Sequence, residues 1–187
     1  MILLNRRGLL AAGAALAAPS LARAQAPDPQ NTLHMDLKDG RVVIQMLPEL
    51  APRHVERIKV LTRRRFYDNT PFHRVIPGFM AQGGDPTGTG RGGSDLPNLP
   101  AEFSPPLRAR FIRGVCGMAR SSDPNSANSQ FFIMFAPNPG LDGQYTIWGR
   151  VISGMEFVDR IKAGTEQNNG AVRDPDRIRR MTVAADG

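Results

Sequence analysis

The sequence predicts a mainly β fold, a barrel or a sandwich, on three observations. About eight short apolar or alternating segments read as strands. Gly, Pro, Asn and Asp cluster between them as turn signals. Only two stretches carry helical periodicity. The chain has 187 residues, 41% hydrophobic and 22% charged, which points to one globular domain with enough surface to bury a core unaided.

The elements follow in order. Residues 1–24, MILLNRRGLLAAGAALAAPSLARA, have the layout of an export signal. Arg6 and Arg7 supply a positive start, Gly8 to Ala18 is uncharged, and Ala22-Arg23-Ala24 is a small-x-small cleavage site. Asn5-Arg6-Arg7-Gly8-Leu9-Leu10 resembles a twin-arginine signal; the alternative is an ordinary secretory signal with two adjacent arginines. The uncharged run is shorter than the roughly 20 residues of a membrane span, so cleavage before Gln25 is expected rather than retention as an anchor. The exported chain is then expected in the periplasm or outside the cell. Residues 25–30 read as a Pro-rich linker with no fold-forming pattern, and 31–187 as the folded domain.

Thr32–Leu37 and Val42–Leu47 read as a hairpin around Asp39-Gly40. A helix is expected to open at Pro48–Pro52 and to bury Val55, Ile58 and Leu61. Arg63-Arg64-Arg65 would end it, where positive charge is favoured. Phe72–Ile76 and Phe79–Gln82 are strand-like around Pro77-Gly78. A Gly/Pro-rich excursion follows, GGDPTGTGRGGSDLPNLPAE. Gly114–Ala119, Gln130–Phe135 and Thr146–Val151 are further strands. Met155–Lys162 suits a second helix stopped by Gly164, and Arg179–Ala184 is the last strand.

Several chemistries are poorly supported. No Gly-x-Ser-x-Gly elbow is present. The three histidines, His34, His54 and His73, lack metal-ligand spacing, and Cys116 is the sole cysteine, so neither a metal nor a cofactor is expected. Cys116 and Trp148 read as core residues, His73 as a packed strand histidine, and His34 and His54 as surface positions. Gly88-Thr89-Gly90-Arg91-Gly92-Gly93 lacks both the Gly-Lys-Ser/Thr ending of a P-loop and the helix that a dinucleotide site opens. It reads as an irregular surface loop. Arg6, Arg7 and Arg23 account for three of the seven net positive charges. The remainder carries +4 with no basic stripe or interleaved aromatics, so nucleic acid is not an expected partner.

One arginine inside an apolar run, Arg74, suits a reaction that makes and breaks no covalent bond. Rotation about an X–Pro bond has a barrier of about 18–20 kcal/mol from amide resonance. An apolar slot for the proline ring and a fixed donor to the twisted imide nitrogen would lower it.

Phe72-His73-Arg74-Val75-Ile76-Pro77-Gly78-Phe79-Met80-Ala81-Gln82-Gly83-Gly84-Asp85 resembles the signature of the cyclophilins, the peptidyl-prolyl cis-trans isomerases. Met118-Ala119-Arg120 with Ser129-Gln130-Phe131-Phe132-Ile133 resembles a second block of that family. Leu141-Asp142-Gly143 with Tyr145-Thr146-Ile147-Trp148-Gly149-Arg150-Val151 resembles a third. The resemblance runs from about Thr32 to Ala184. It implies an eight-stranded antiparallel barrel capped by two helices, with the site on the outer barrel face. It makes Arg74 the catalytic arginine, held at the pocket rim, and Phe79, Met80, Phe132 and Leu141 the proline pocket. Gln82 and the backbone of Arg120 would bind the substrate main chain, Ala119 and Gln130 would line the neighbouring groove, and Tyr145 would frame the pocket. Gly83-Gly84 would let the chain turn out of the strand.

The sequence departs from the family pattern where eukaryotic members often carry a tryptophan beside the pocket; Gly140 stands there. Because that indole contacts cyclosporin, weak cyclosporin binding is expected. The substrates implied are proline-containing polypeptides, and a monomer is expected. Two other readings stay open on the residues alone: a non-catalytic proline-binding or chaperone module, and a barrel that holds a small molecule in a roomy lumen.

Overall fold

A computed structural model describes residues 27–187; the export signal expected at 1–24 lies outside the described residues. Thr32–Asp36 (β1) and Arg41–Met46 (β2) form the expected hairpin, paired from Thr32↔Gln45 to Asp36↔Arg41. Its loop is Leu37–Gly40, closed by Leu37 N–H donating to Gly40 O at 2.9 Å. Arg74–Ile76 (β3), Met80–Gly83 (β4), Val115–Met118 (β5), Phe131–Met134 (β6), Ile147–Ser153 (β7) and Arg180–Val183 (β8) complete one sheet in the order β3-β4-β6-β5-β7-β2-β1-β8. Every pair is antiparallel.

The ends of that row are drawn together outside the named strands. Asn69 and Phe72 N–H donate to Ile178 O and Asp176 O, and Ile178 N–H donates to Thr70 O. This is why the strand expected over Phe72–Ile76 is short: Phe72 is already committed to the segment ahead of β8. The sheet therefore curls around a filled interior. Leu33, Met35, Ile44, Phe131, Ile133 and Trp148 are all 0% exposed. A lumen packed in this way argues against the small-molecule barrel.

The helix Pro52–Arg63 (α1) covers the sheet with Val55, Ile58 and Leu61, as their spacing predicts. It starts later than Pro48. Leu50 N–H closes a turn on Leu47 O, and Pro52 takes the first helical turn, where its missing N–H costs nothing. No side chain of the flanking residue Ala51 caps it. The Glu102 carboxylate does so from 48 and 49 residues away, accepting from Arg53 and His54 N–H at the positive end of the helix dipole. His54 is consequently not a surface residue, as its helical position suggested. It is 0% exposed, and its Nδ1 lies 2.6 Å from Glu102 Oε2. His34 is half-buried, and His73, Cys116 and Trp148 are buried as expected.

The second helix is only Met155–Val158 (α2). Beyond it Ile161 N–H makes a tighter bond to Val158 O, and Lys162 N–H goes to Asp176 Oδ2, so the regular ladder stops early. The linker also differs at its end. Pro29–Asn31 forms one 3-10 turn capped by Asp28, whose side chain accepts from Gln30 N–H. Asp28 supplies the short polar acceptor that such a cap needs.

Candidate active site on the outer sheet face

Strand alternation divides β3 to β7 between two sides. Val75, Ala81, Cys116, Met118, Phe131, Ile133 and Trp148 point inward. Met80, Val115, Phe132, Met134 and Ile147 point outward and form a second apolar cluster with Phe111. Phe79, Leu141 and Tyr145 pack against that cluster. Pro77-Gly78 brings Phe79 there: Phe79 N–H bonds Ile76 O at 3.0 Å, and Gly78 at φ 69° supplies the positive angle of the turn.

A cavity of about 110 Å³ opens over this cluster. At roughly 30 Å³ per liquid water, it has room for three or four waters, which suits one five-membered ring. Phe79, Met80, Phe132 and Leu141 line it, with Tyr145 beside them. Arg74, Gln82, Ala119 and Arg120 complete its wall. The structure thus brings together nine of the ten residues expected at the site. The tenth, Gln130, lines an adjoining cavity of about 480 Å³ that shares Gln82, Ala119 and Arg120.

Arg74 is half-buried at the rim. Its Nε–H donates to Asn169 O at 3.0 Å, Nη2 to Asn169 Oδ1 at 2.8 Å, and Nη1 to Gln82 Oε1 at 3.2 Å. A guanidinium has five N–H donors, so two remain for a ligand. Burial draws the Arg74 pKa down from the ordinary arginine value, with Tyr145 opposing, but an arginine stays charged at neutral pH.

The chain of amides beyond Arg74 has one consistent direction. Gln130 Nε2 donates to Gly90 O and Gly92 O, at 3.0 and 2.8 Å. Those carbonyls only accept, so Gln130 Oε1 faces Gln82 Nε2, 2.9 Å away. Gln82 then presents its oxygen to Arg74, which only donates. The far end is tied by Asp85, 0% exposed. Its carboxylate accepts from the N–H of Thr87, Gly90 and Gly92 and from the Thr87 hydroxyl. Burial pushes the Asp85 carboxyl up, but these hydrogen bonds together win and hold it below the usual range. The Gly-rich loop therefore does cradle an anion, one of its own. Gly84, at φ 82°, makes the turn into this loop; a Cβ there would lie 2.5 Å from Ser129 O.

Arg120 lies across the other side of the pocket. Its Nε and Nη2 donate to Gln144 O and Nη1 to Ser121 O, and its Cζ sits 4.4 Å from the Tyr145 ring centroid. Within the described residues its backbone N–H and C=O form no hydrogen bond, which leaves them open to a peptide main chain. Ala119 is fixed beside it by Ala119 N–H to Gln130 O at 2.9 Å.

Two neighbours were not singled out from the sequence. Phe111 is 1% exposed, stacks on Phe132 at 5.6 Å and meets Tyr145 edge-on at 6.4 Å. It sits between Arg108, Arg110 and Arg113, where nothing marks it as apolar wall. Asn169 belongs to an Asn-Gly pair, which signals left-handed backbone but not what that backbone holds. Among the described residues no three His, Cys, Asp or Glu side chains converge as metal ligands.

The family model described as "Cyclophilin type peptidyl-prolyl cis-trans isomerase/CLD" matches residues 32–183. A protein of Brucella suis named "Probable peptidyl-prolyl cis-trans isomerase" is 52% identical over 193 residues, covering 96% of this chain and 97% of its own. A "Peptidyl-prolyl cis-trans isomerase-like 1" of Gibberella zeae is 46% identical over 132 residues, covering 68% of this chain and 80% of its own. Among solved structures, a cyclophilin of Hirschia baltica aligns with a TM-score of 0.76 at 28% identity, over 87% of this chain and 77% of that one. A cyclophilin-type isomerase of Cryptosporidium parvum, crystallised in the presence of the dipeptide Ala-Pro, aligns with a TM-score of 0.73 at 29% identity, over 81% and 98%. The curled antiparallel sheet, the outward apolar pocket beside a clamped arginine, and these matches agree: the chain belongs to the cyclophilin-type peptidyl-prolyl cis-trans isomerase family.

Proposed function

We propose that Arg74 catalyses rotation about X–Pro bonds by donating to the imide nitrogen as the bond twists. The observation that carries this is the clamped guanidinium on the wall of the 110 Å³ apolar pocket, with two donors uncommitted. In the planar imide the nitrogen lone pair is delocalised and accepts poorly. At the twisted state the nitrogen becomes pyramidal and accepts well. A donor fixed in advance therefore favours the transition state over either ground state, the condition for catalysis. Phe79, Met80, Phe132 and Leu141 hold the ring, at about 0.8 kcal/mol per buried methylene. Gln82 and the free backbone of Arg120 hold the flanking chain, so that the ring side and the chain side turn relative to each other. No proton is transferred and no cofactor is called for.

The test is cis/trans exchange of an Ala-Pro-Phe peptide followed by NMR with catalytic amounts of the protein. Acceleration that depends on Arg74 is expected. A folded protein that binds the peptide but leaves exchange unchanged would establish the proline-binding module instead.

The finer reading concerns place and ligand. Arg6-Arg7, the uncharged stretch after them and Ala22-Arg23-Ala24 support export and action on proline-containing proteins folding in the periplasm or outside the cell. Cell fractionation with N-terminal sequencing tests this: Gln25 as the first residue of the exported form is expected, and Met1 there would overturn it. The mature chain acts as a monomer, and with Gly140 in place of an indole it binds cyclosporin weakly. Nanomolar inhibition by cyclosporin would refute the second point.

A further inference from the structure

The larger cavity has a charge that the proline pocket does not explain. We propose that it selects substrates carrying a carboxylate side chain within a few residues of the target proline, held by Arg91 and Arg120. This rests on the isomerase reading and names its substrate class. The cavity holds about 480 Å³ and runs on from the proline pocket through Gln82, Ala119 and Arg120. A chain lying across the first is thereby led into the second. Among the described residues Arg91 and Arg120 are its only charged lining; the rest are glycines, an alanine and neutral polar side chains such as Ser94, Asn98 and Asn128. Of the nearby acids, Asp85 is buried under the loop amides and Asp95 pairs with Arg64, while Asp123 sits behind the Ser121 and Ser126 rim and accepts from Asn125 N–H.

Arg91 is exposed, and among the described residues its guanidinium joins no hydrogen bond or ion pair. Its backbone does not wander: Arg91 N–H bonds Thr89 Oγ1, and both neighbouring glycines are tied to Asp85. Its uncommitted fork thus rises from a fixed base at the mouth of a groove whose charged lining is two arginines. Guanidinium and carboxylate pair through charge-assisted bonds, whereas a lysine brought there would meet like charge.

The test is kcat/KM on a series of proline peptides with Asp, Ala or Lys placed in turn at each position flanking the proline. At one position at least, Asp over Lys is expected to win by about fivefold, the reach of a partly exposed pair, and the gap narrows with added salt. Arg91→Glu reverses the order. A catalysed series blind to charge, or a preference that survives Arg91→Glu, overturns the proposal alone. An uncatalysed series overturns the isomerase reading beneath it.

A separate observation concerns Asn169. We infer that it is a positioning residue for Arg74. Among the described residues it is one of four non-glycine residues at positive φ, at 56°. That conformation turns its carbonyl and its side-chain oxygen onto one edge of the Arg74 guanidinium, at 3.0 and 2.8 Å. The next residue is stitched to the strand that carries Arg74, with Val75 N–H donating to Gly170 O at 2.8 Å. Asn169→Gly keeps the backbone angle and removes one acceptor. A fall in kcat of about tenfold with KM unchanged is expected, the scale of one hydrogen bond to a charged group. Asn169→Asp restores it. The Arg74 Nη–H resonances are expected to broaden in the glycine variant relative to the wild type, because Nη2 loses its Asn169 Oδ1 acceptor. In an Arg74→Ala background Asn169→Gly is expected to cost nothing further. An equal loss in both backgrounds, or none in either, overturns the inference.

Discussion

Phe131 and Phe132 are adjacent on one strand, nearly equal in burial at 0% and 5% exposed, and opposite in purpose. Phe131 meets Tyr67, Phe72 and Trp148 edge-on inside the barrel. Phe132 stacks on Phe111 and meets Tyr145 under the outer cavity proposed to hold proline. The inner cluster is closed on all sides, so its whole value is packing. The outer cluster has one side left open, where the proposed reading seats the substrate's ring. On the proposed reading, the difference teaches that what makes an apolar residue functional here is a last contact supplied by a ligand, not lesser burial.

The strongest way to break this comparison is truncation on each side. Phe131→Ala is expected to cost about 3–5 kcal/mol of stability, read as a lower denaturant midpoint, with activity per folded molecule little changed. Phe132→Ala loses the substrate's stacking surface and less of the fold, so kcat/KM falls more than stability does. Equal losses of kcat/KM per folded molecule in the two variants would mean that the faces are not functionally distinct.

Arg74→Ala isolates the outer face. Losing a preorganised donor costs about 2.7–4 kcal/mol in the barrier, a fall of about two to three orders of magnitude in kcat/KM. Among the described residues the side chain bonds only to Asn169 and Gln82, so the unfolding midpoint is expected to hold. A variant that keeps most of its activity would return Arg74 to a structural tie.

A smaller effect comes from the space between the rings. A Cβ on Gly117 would lie 2.5 Å from Phe132 Cζ and 2.7 Å from Phe111 Cε1. Gly117→Ala therefore pushes both rings toward the pocket. Overpacking of this kind costs about 1–3 kcal/mol, and here it is expected to raise KM for short proline peptides before it lowers the midpoint. A KM that stays unchanged would show that the rings yield inward.

The same comparison explains what was legible in the sequence. All eight strands were, because strand segments are short, apolar and bounded by Gly and Pro. The assignment of faces was not. In Phe131-Phe132-Ile133-Met134 every residue is apolar, so alternation carries no polarity signal; only the family resemblance separated Phe132 from Phe131. His54 was misplaced for a related reason. Its partner Glu102 arrives from a distant loop, and helical position alone reports no such partner. Phe111 and Asn169 were missed because their roles depend on what folds against them: the Phe132 ring for one, the Arg74 guanidinium for the other.

The smallest expected effect separates the two faces by pH. Burial holds His54 below the ordinary histidine pKa despite the hydrogen bond to Glu102, and burial holds His73 below it despite the Asp85 carboxylate. As pH falls through about 6.5, the unfolded chain takes up these protons before the folded one does. Stability is therefore full above about 6.5 and lost progressively below it, at about 1.4 kcal/mol per unit of depression. Arg74 keeps its charge throughout, and the proposed reaction moves no proton, so kcat/KM on the folded protein is expected to stay flat from about pH 8 to about pH 6. Urea midpoints and exchange rates measured across that range, extended to about pH 5 for stability, read both. His54→Asn, whose amide keeps a donor toward Glu102, removes part of the stability slope and leaves activity alone. A bell-shaped activity profile would place a titrating group in the reaction and end the donor-only account of Arg74; a flat stability profile would mean that both imidazoles accept protons where they lie.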